Sequence, residues 1–307
     1  MTATSLPDSV VIYEVGARDG LQNEAITVST HDKIAFIRRL AEAGLTTIEA
    51  TSFVHPKWIP QLADAEDVLA GLDLAGDPAL SLPVLVPNER GLDRALAAGV
   101  TRIAIFGSAT DTFARKNLNR SLEDQFAMFE PTVARARAAG IDVRAYVSMC
   151  FGDPWEGDVP IAQVVEVGRR LFDLGASQLS IGDTLGLATP GRVHDLLGAF
   201  AAAGLGADDL AVHFHDTYGQ ALANSYAALE AGIRTFDASA GGLRGCPYAP
   251  GAAGNLATED LVWMLDGLGI RSGVDVAALA RTSTWMAATL GRPSTSRVVQ
   301  ALAAQDA

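Results

Sequence analysis

Residues 192–217, RVHDLLGAFAAAGLGADDLAVHFHDT, decide how the chain is read. The stretch opens as a helix over Arg192–Ala203, meets Gly204, and ends in an apolar strand-like run, LAVHFHDT, over 210–217. Glycine just past a helix can take the left-handed conformation that closes the last turn. The same order of Ala-rich stretch, Gly and apolar run recurs at Gly44, Gly99, Gly140, Gly175 and Gly232. Further strand candidates are VVIYEVGA (10–17), TTIEAT (46–51), LSLPVLVP (80–87), RIAIFG (102–107), DVRAYVSMC (142–150), QLSIGDT (178–184) and TFDASAGG (235–242). Several are apolar nearly throughout, as strands buried on both faces are. The clearest other helical segments are Asp32–Glu42, Leu122–Ala139, Ile161–Leu174 and Ala221–Ala231, and Thr189-Pro190 reads as a helix start. Strands alternating with helices over about 250 residues predict an α/β fold, a single closed (β/α)8 TIM barrel, with an open doubly wound sheet as the competitor. The barrel spans about 10–270. An extra C-terminal helix, from Val274 to Leu290, begins an appendage over about 274–307. No composition break divides residues 1–307, so one catalytic domain is expected.

Composition narrows the function. The 307 residues carry 23 Lys+Arg against 36 Asp+Glu, a net charge of −13. Nucleic acid and anionic membrane surfaces reward clustered cations, so neither is an expected partner. No run reaches the roughly 18 apolar residues that a membrane helix needs. The start, MTATSLPDSV, has no basic-then-apolar leader pattern. With only two cysteines, Cys150 and Cys246, a reducing cytoplasmic location is the expectation.

Polar residues collect where the predicted strands end: Arg18 and Asp19, Glu49, Tyr146 and Ser148, Asp183, His213 and His215, and then Cys246 and Asn255 in a long loop. In a barrel these ends share one face, where active sites form. Strand side chains alternate, so His213 and His215 point the same way and could reach one divalent metal. Two hydrogen-bonded histidines would be the plainer reading. Asp19 is a hard oxygen ligand, or else the cap of a turn. Mixed imidazole and oxygen ligands suit Mg2+ or Mn2+ better than a closed zinc site. Arg18 could bind a developing oxyanion or form a salt bridge across the mouth. Glu49 and Asp183, in otherwise apolar strands, need partners such as Arg18 or Arg144. Cys246 lies in the Gly-rich stretch 240–255 and could transfer a proton; Cys150 reads as a core residue.

The segments YEVGARDGLQNE (13–24), IEATSFVHPKWIPQLAD (48–64), LSIGDTLGLATPG (179–191), VHFHDTYGQALAN (212–224) and GLRGCPYAPGAAGNLATEDLVWMLDGLGI (242–270) resemble the 3-hydroxy-3-methylglutaryl-CoA lyase family. The resemblance runs from about Val11 to Pro293. It implies a metal-assisted retro-Claisen cleavage of an acyl-CoA substrate to acetoacetate and acetyl-CoA, a step of leucine degradation and ketone body formation. It also implies Mg2+ or Mn2+ held by Asp19, His213, His215 and Asn255. Arg18 matches the residue that stabilises the enolate, Glu49 an organiser of the metal site, Asp183 a catalytic-site carboxylate, and Cys246 the cysteine active in proton transfer. A homodimer is the family expectation.

Two departures bear on specificity. Arg244 stands where the family usually has Gly, and strand 5 continues as Ser148-Met-Cys-Phe-Gly-Asp153 where relatives carry more cysteines. The nearest alternative is therefore a lyase for another 3-hydroxyacyl-CoA, a longer-branched 3-hydroxyglutaryl-CoA or citramalyl-CoA. A Claisen-type synthase fits less well, given the Cys246 loop and no sign of a regulatory domain. A barrel that only binds acyl-CoA would have no need of so many catalytic-type residues.

Overall fold

The structure, a computed structural model, describes residues 6–72, 79–243 and 254–305. Among the described residues, nine strands form one parallel sheet: β1 (Val11–Glu14), β2 (Thr47–Ile48), β3 (Thr51–Ser52), β4 (Val84–Leu85), β5 (Arg102–Ser108), β6 (Asp142–Ser148), β7 (Gln178–Asp183), β8 (Leu210–Phe214) and β9 (Thr235–Ala238). Their order is β2-β1-β9-β8-β7-β6-β5-β4-β3. β2 and β3 are the two halves of one predicted strand, interrupted at Glu49-Ala50. The interruption does not open the sheet. Glu49 N–H donates to Glu14 O at 2.8 Å on one side, and Ala50 N–H donates to Pro83 O at 2.9 Å on the other. The ring therefore closes, and the architecture is the (β/α)8 barrel rather than the open sheet.

Around it run α1 (Thr30–Glu42), α2 (Ala65–Ala70), α3 (Glu89–Ala97), α4 (Asp111–Leu118), α5 (Asp124–Ala138), α6 (Ile161–Asp173), α7 (Pro190–Ala202), α8 (Ala221–Glu230) and α9 (Thr258–Gly267). Large side chains such as Phe36, Phe129, Phe200, Phe214 and Phe236 are fully buried in the core. Gly204 closes α7 with φ +89°, as its place in the sequence predicts. Gly44 does the same for α1 at φ +99°, and a Cβ there would also strike Gly273 O at 2.2 Å. The appendage holds α10 (Val276–Thr289), packed on α1 and α9, and a second helix, α11 (Arg297–Gln305), that the sequence reading did not assign. No helix among the described residues is long and apolar enough to cross a membrane.

Two strand ends differ from expectation, and both build the mouth of the barrel. β1 stops at Glu14, and Gly16–Gly20 winds into one π-helical turn carrying Arg18 and Asp19. Such turns are rare and occur often at functional sites. β9 stops at Ala238, and Ala240–Gly242 forms a tight turn.

These two turns are tied together by buried carboxyls. Glu14 accepts from Gly16 N at 2.7 Å, Ala240 N at 2.9 Å and Thr258 Oγ1 at 2.6 Å. Glu259 accepts from Gly241 N at 2.9 Å and from the Ser283 hydroxyl. Burial pushes Glu14 up to about 7 and Glu259 up to about 8, against the opposing pull of these hydrogen bonds. The folded state thus holds protons that the unfolded chain has released. The resulting stability is full below the ordinary Glu range and is lost as pH rises through 7 to 8, at up to about 1.4 kcal/mol per pH unit per group. The melting temperature is expected to fall between pH 5 and pH 8. Glu259→Gln, which has no proton to lose, should flatten that fall; an unchanged slope in the variant would remove Glu259 as a cause.

Candidate active site

The inside of this barrel is unusually polar. Strand alternation aims Tyr13, Arg144, Tyr146, Ser180, His213 and Asp237 inward, where branched aliphatic layers are more usual. Arg144 grips Asp237 with both terminal nitrogens, at 3.1 and 2.5 Å, and stacks over Tyr13 with 4.0 Å from Cζ to the ring centroid. Ser180 Oγ donates to Asp237 Oδ2 at 2.7 Å. Burial would raise the Asp237 carboxyl, but the Arg144 guanidinium outweighs it and holds the group low. Asp237 therefore stays ionised and presents Oδ2 to His213 Nδ1 at 3.3 Å. A carboxylate only accepts, so His213 carries a proton on Nδ1 and turns Nε2 toward the mouth.

Four residues meet at that point. His213 Nε2 lies 3.2 Å from His215 Nε2. Ligand atoms of Asp19, His213 and His215 all fall within 4.8 Å of one another. Asn255 Nδ2 donates to Asp19 Oδ2 at 2.9 Å and to Leu243 O at 3.3 Å. Both partners are acceptors, which fixes the amide orientation and leaves Asn255 Oδ1 buried and, among the described residues, without a partner. Burial, helped by the neighbouring His213, pushes His215 down to about 3, so its ring is neutral. Burial also opposes charge on His213, yet Asp237 and Asp19 raise it. For Asp19, burial is outweighed by Arg18 and the two histidines, and its carboxyl is held low. Two imidazole nitrogens, a carboxylate and an orphaned amide oxygen converging in a buried spot suit one divalent cation.

Arg18 borders this cluster. Its Nε donates to Glu49 Oε2 at 2.7 Å and its Nη1 to Asp19 Oδ1 at 2.7 Å. Tyr146 OH donates to the same Glu49 oxygen at 3.1 Å. Burial would favour a neutral guanidinium, but Glu49 and Asp19 keep it charged. Among the described residues Nη2 has no protein partner. A cavity of about 270 Å³ is lined by Arg18, Asp19, His213 and His215 together with Trp58, Ile59, Phe106, Phe113, Lys116 and Asn117. Its lining is part ionic and part apolar.

The sequence reading placed Arg18, Asp19, Glu49, His213, His215 and Asn255 together, and the structure brings these six together. Asp183 is not in the cluster. Counting from the inward Ser180 and the cavity-lining Gly182, alternation turns Asp183 to the outer side of the sheet. There its carboxylate accepts from Leu187 N at 2.8 Å and Ala188 N at 3.0 Å. Burial lifts it to about 6. Asp183 thus braces the loop into α7, where the Thr189 hydroxyl makes no capping bond. Cys246 and Arg244 lie outside the described residues. Cys150 is buried, as expected of a core thiol. Asp237 was missed, although it is the sole carboxylate of its strand and pairs directly with His213 across β8 and β9. Replacing it by Ala leaves Arg144 buried and unpaired, which is expected to cost about 3–5 kcal/mol. Chemical denaturation would measure the loss.

A closed barrel whose mouth gathers an arginine, a hydrogen-bonded carboxylate and a cation-competent cluster is an enzyme architecture. The family model described as HMGL-like matches residues 9–286, and the chain belongs to that family. It is 50% identical over 297 residues to hydroxymethylglutaryl-CoA lyase, mitochondrial, of Rattus norvegicus, covering 97% of this chain and 90% of the relative. Among solved structures it is similar to the HMG-CoA lyase of Bacillus subtilis, with a TM-score of 0.94 and 46% identity over 97% of this chain and 99% of that one. It is also similar to an HMG-CoA lyase from Acinetobacter baumannii in complex with coenzyme A and 3-methylmalate, with a TM-score of 0.91 and 36% identity over 97% and 96%.

Proposed function

We propose that this protein is a carbon–carbon lyase that cleaves 3-hydroxy-3-methylglutaryl-CoA to acetoacetate and acetyl-CoA. The observation that carries the reading is the convergence of Asp19, His213, His215 and the free Asn255 Oδ1 beside Arg18. Asp19, His213, His215 and Asn255 would hold Mg2+ or Mn2+. When bound, the cation supplies Lewis acidity toward the substrate hydroxyl and carboxylate oxygens.

The protein's own groups account for the rest. Cleaving the C2–C3 bond turns the C3 hydroxyl into the ketone of acetoacetate, its proton passing to a base of the cluster, Asp19 or a histidine, and moves the bond's electron pair toward the thioester carbonyl, so negative charge grows on its oxygen. Arg18 meets that charge with N–H groups already aimed and desolvated. Glu49 and Tyr146 hold Arg18 in place, so little reorganisation is needed as the charge develops. Asp237 keeps the His213 proton on Nδ1. The apolar walls of Phe106, Phe113 and Ile59 exclude water that would screen the arginine. Cys246 is the proposed proton donor to the enolate; that role rests on the sequence resemblance.

Incubating purified protein with 3-hydroxy-3-methylglutaryl-CoA and either Mg2+ or Mn2+ should yield acetoacetate and acetyl-CoA in equal amounts. No product with either metal would overturn the reading. The relative holding 3-methylmalate makes other branched acids worth measuring. A higher kcat/KM for citramalyl-CoA or a longer-branched 3-hydroxyglutaryl-CoA would reassign the substrate while keeping the reaction type.

A further inference from the structure

The C-terminal appendage reaches the active-site mouth through a segment with no part in the barrel. Between α10 and α11 the chain runs Arg292-Pro-Ser-Thr-Ser296. Ser294 Oγ donates to Gly241 O at 2.9 Å, and Thr295 Oγ1 donates to Gly242 O at 2.9 Å. Thr295 N–H also donates to Gly241 O at 3.2 Å. From the other side, Glu259 receives the Gly241 N–H. Both glycines are left-handed, at φ +68° and +62°, and a Cβ on Gly242 would lie 2.3 Å from Thr295 Oγ1. The hydroxyl of Thr295 therefore sits where only a glycine turn admits it. Arg292 fastens the same segment to Glu24, just past the turn that bears Arg18 and Asp19.

The next residue gives this clamp a target. Leu243 is buried, and its carbonyl is one of the two acceptors that orient the Asn255 amide. The Asn255 backbone is held independently: Leu256 N–H donates to Phe214 O and Asp216 N–H to Gly254 O. What remains to be set is the side-chain rotation, and with it the direction of Oδ1. Leu243 O and Asp19 Oδ2 set it.

We propose that Ser294 and Thr295 are positioning residues for the cation site, acting through the Gly241–Gly242 turn and Leu243 O on the Asn255 side chain. The inference rests on the reading that Asp19, His213, His215 and Asn255 bind a divalent cation. Loss of a partner outside the ligand sphere typically costs 10–100-fold in metal affinity. The test is the Mn2+ dissociation constant of the full-length protein without substrate, followed by electron paramagnetic resonance of free Mn2+, alongside the melting temperature. Thr295→Val combined with Ser294→Ala should weaken Mn2+ binding about 10-fold or more. Thr295→Ser, which keeps the hydroxyl, should stay near wild type. A double variant within twofold of wild type overturns the proposal, whatever its melting temperature. If the double variant does not fold, Thr295→Val against Thr295→Ser decides by the same criterion. Wild-type protein that binds no Mn2+ defeats the underlying cation reading, and this proposal with it. Normal wild-type binding with unaffected variants defeats only the proposal.

Discussion

Asp19→Ala is expected to lose Mn2+ affinity by at least about 100-fold, the upper end of what even an outer partner's removal costs. Acetoacetate formation should fall with it. The reason is geometric. Asp19 is the cluster's sole carboxylate among the described residues, facing two neutral-capable imidazoles and an amide oxygen. Removing it takes away the negative charge that compensates a dication in a buried place. The fold should survive, because Arg18 keeps its bond to Glu49. Circular dichroism would establish that, and a Mn2+ titration would read the affinity. Unchanged binding in a folded variant would show that Asp19 braces Arg18 and holds no cation. His215→Ala offers a second reading of the same site, since among the described residues the Nδ1 of that ring has no partner whose loss would disturb the core.

Arg18→Met should lower kcat by about 100- to 1,000-fold, the range for deleting one donor to a developing oxyanion. KM should change far less, because the interaction strengthens only as charge leaves C2. Arg18→Lys should recover little. Lysine has the charge but no planar fork to reach Glu49 and Asp19 at once while presenting a further N–H. Because Glu49 is buried, its loss of a partner will also show as a lower melting temperature; Arg18→Met combined with Glu49→Gln separates that stability cost from the kinetic one. Turnover within tenfold of wild type in Arg18→Met would move the charge-stabilising role elsewhere.

The fold was legible because its signals repeat. Six helix-Gly-strand junctions report the same unit, and a strand buried on both faces reads as an apolar run. The site was legible where residues mark strand ends: Arg18 and Asp19 after one apolar run, His213 and His215 spaced to share a face. What stayed hidden has physical causes. A π-helical turn has neither a period of two nor of 3.6, so Gly16 and Ala17 read as the last residues of the first strand and the turn itself went unassigned. Asp237 was overlooked because a lone buried acid carries meaning only once its register against His213 is known. Asp183 was grouped with the site by its position at a strand end, although alternation from Ser180 already turns it outward. The anchoring of Gly241 and Gly242 by Ser294 and Thr295 joins positions over 50 apart, and no local pattern announces it.

The seam where the first strand meets the last has one further consequence. Asp19 follows β1, the histidines lie on and just past β8, and Asn255 comes after β9, so an ion shared among them would straddle the joint that makes the sheet a cylinder. It would act as a clasp between the two ends of the polypeptide. An unfolded or half-assembled chain has no such grip, so saturating metal should draw the equilibrium toward the closed ring by mass action and resist fraying at that joint first.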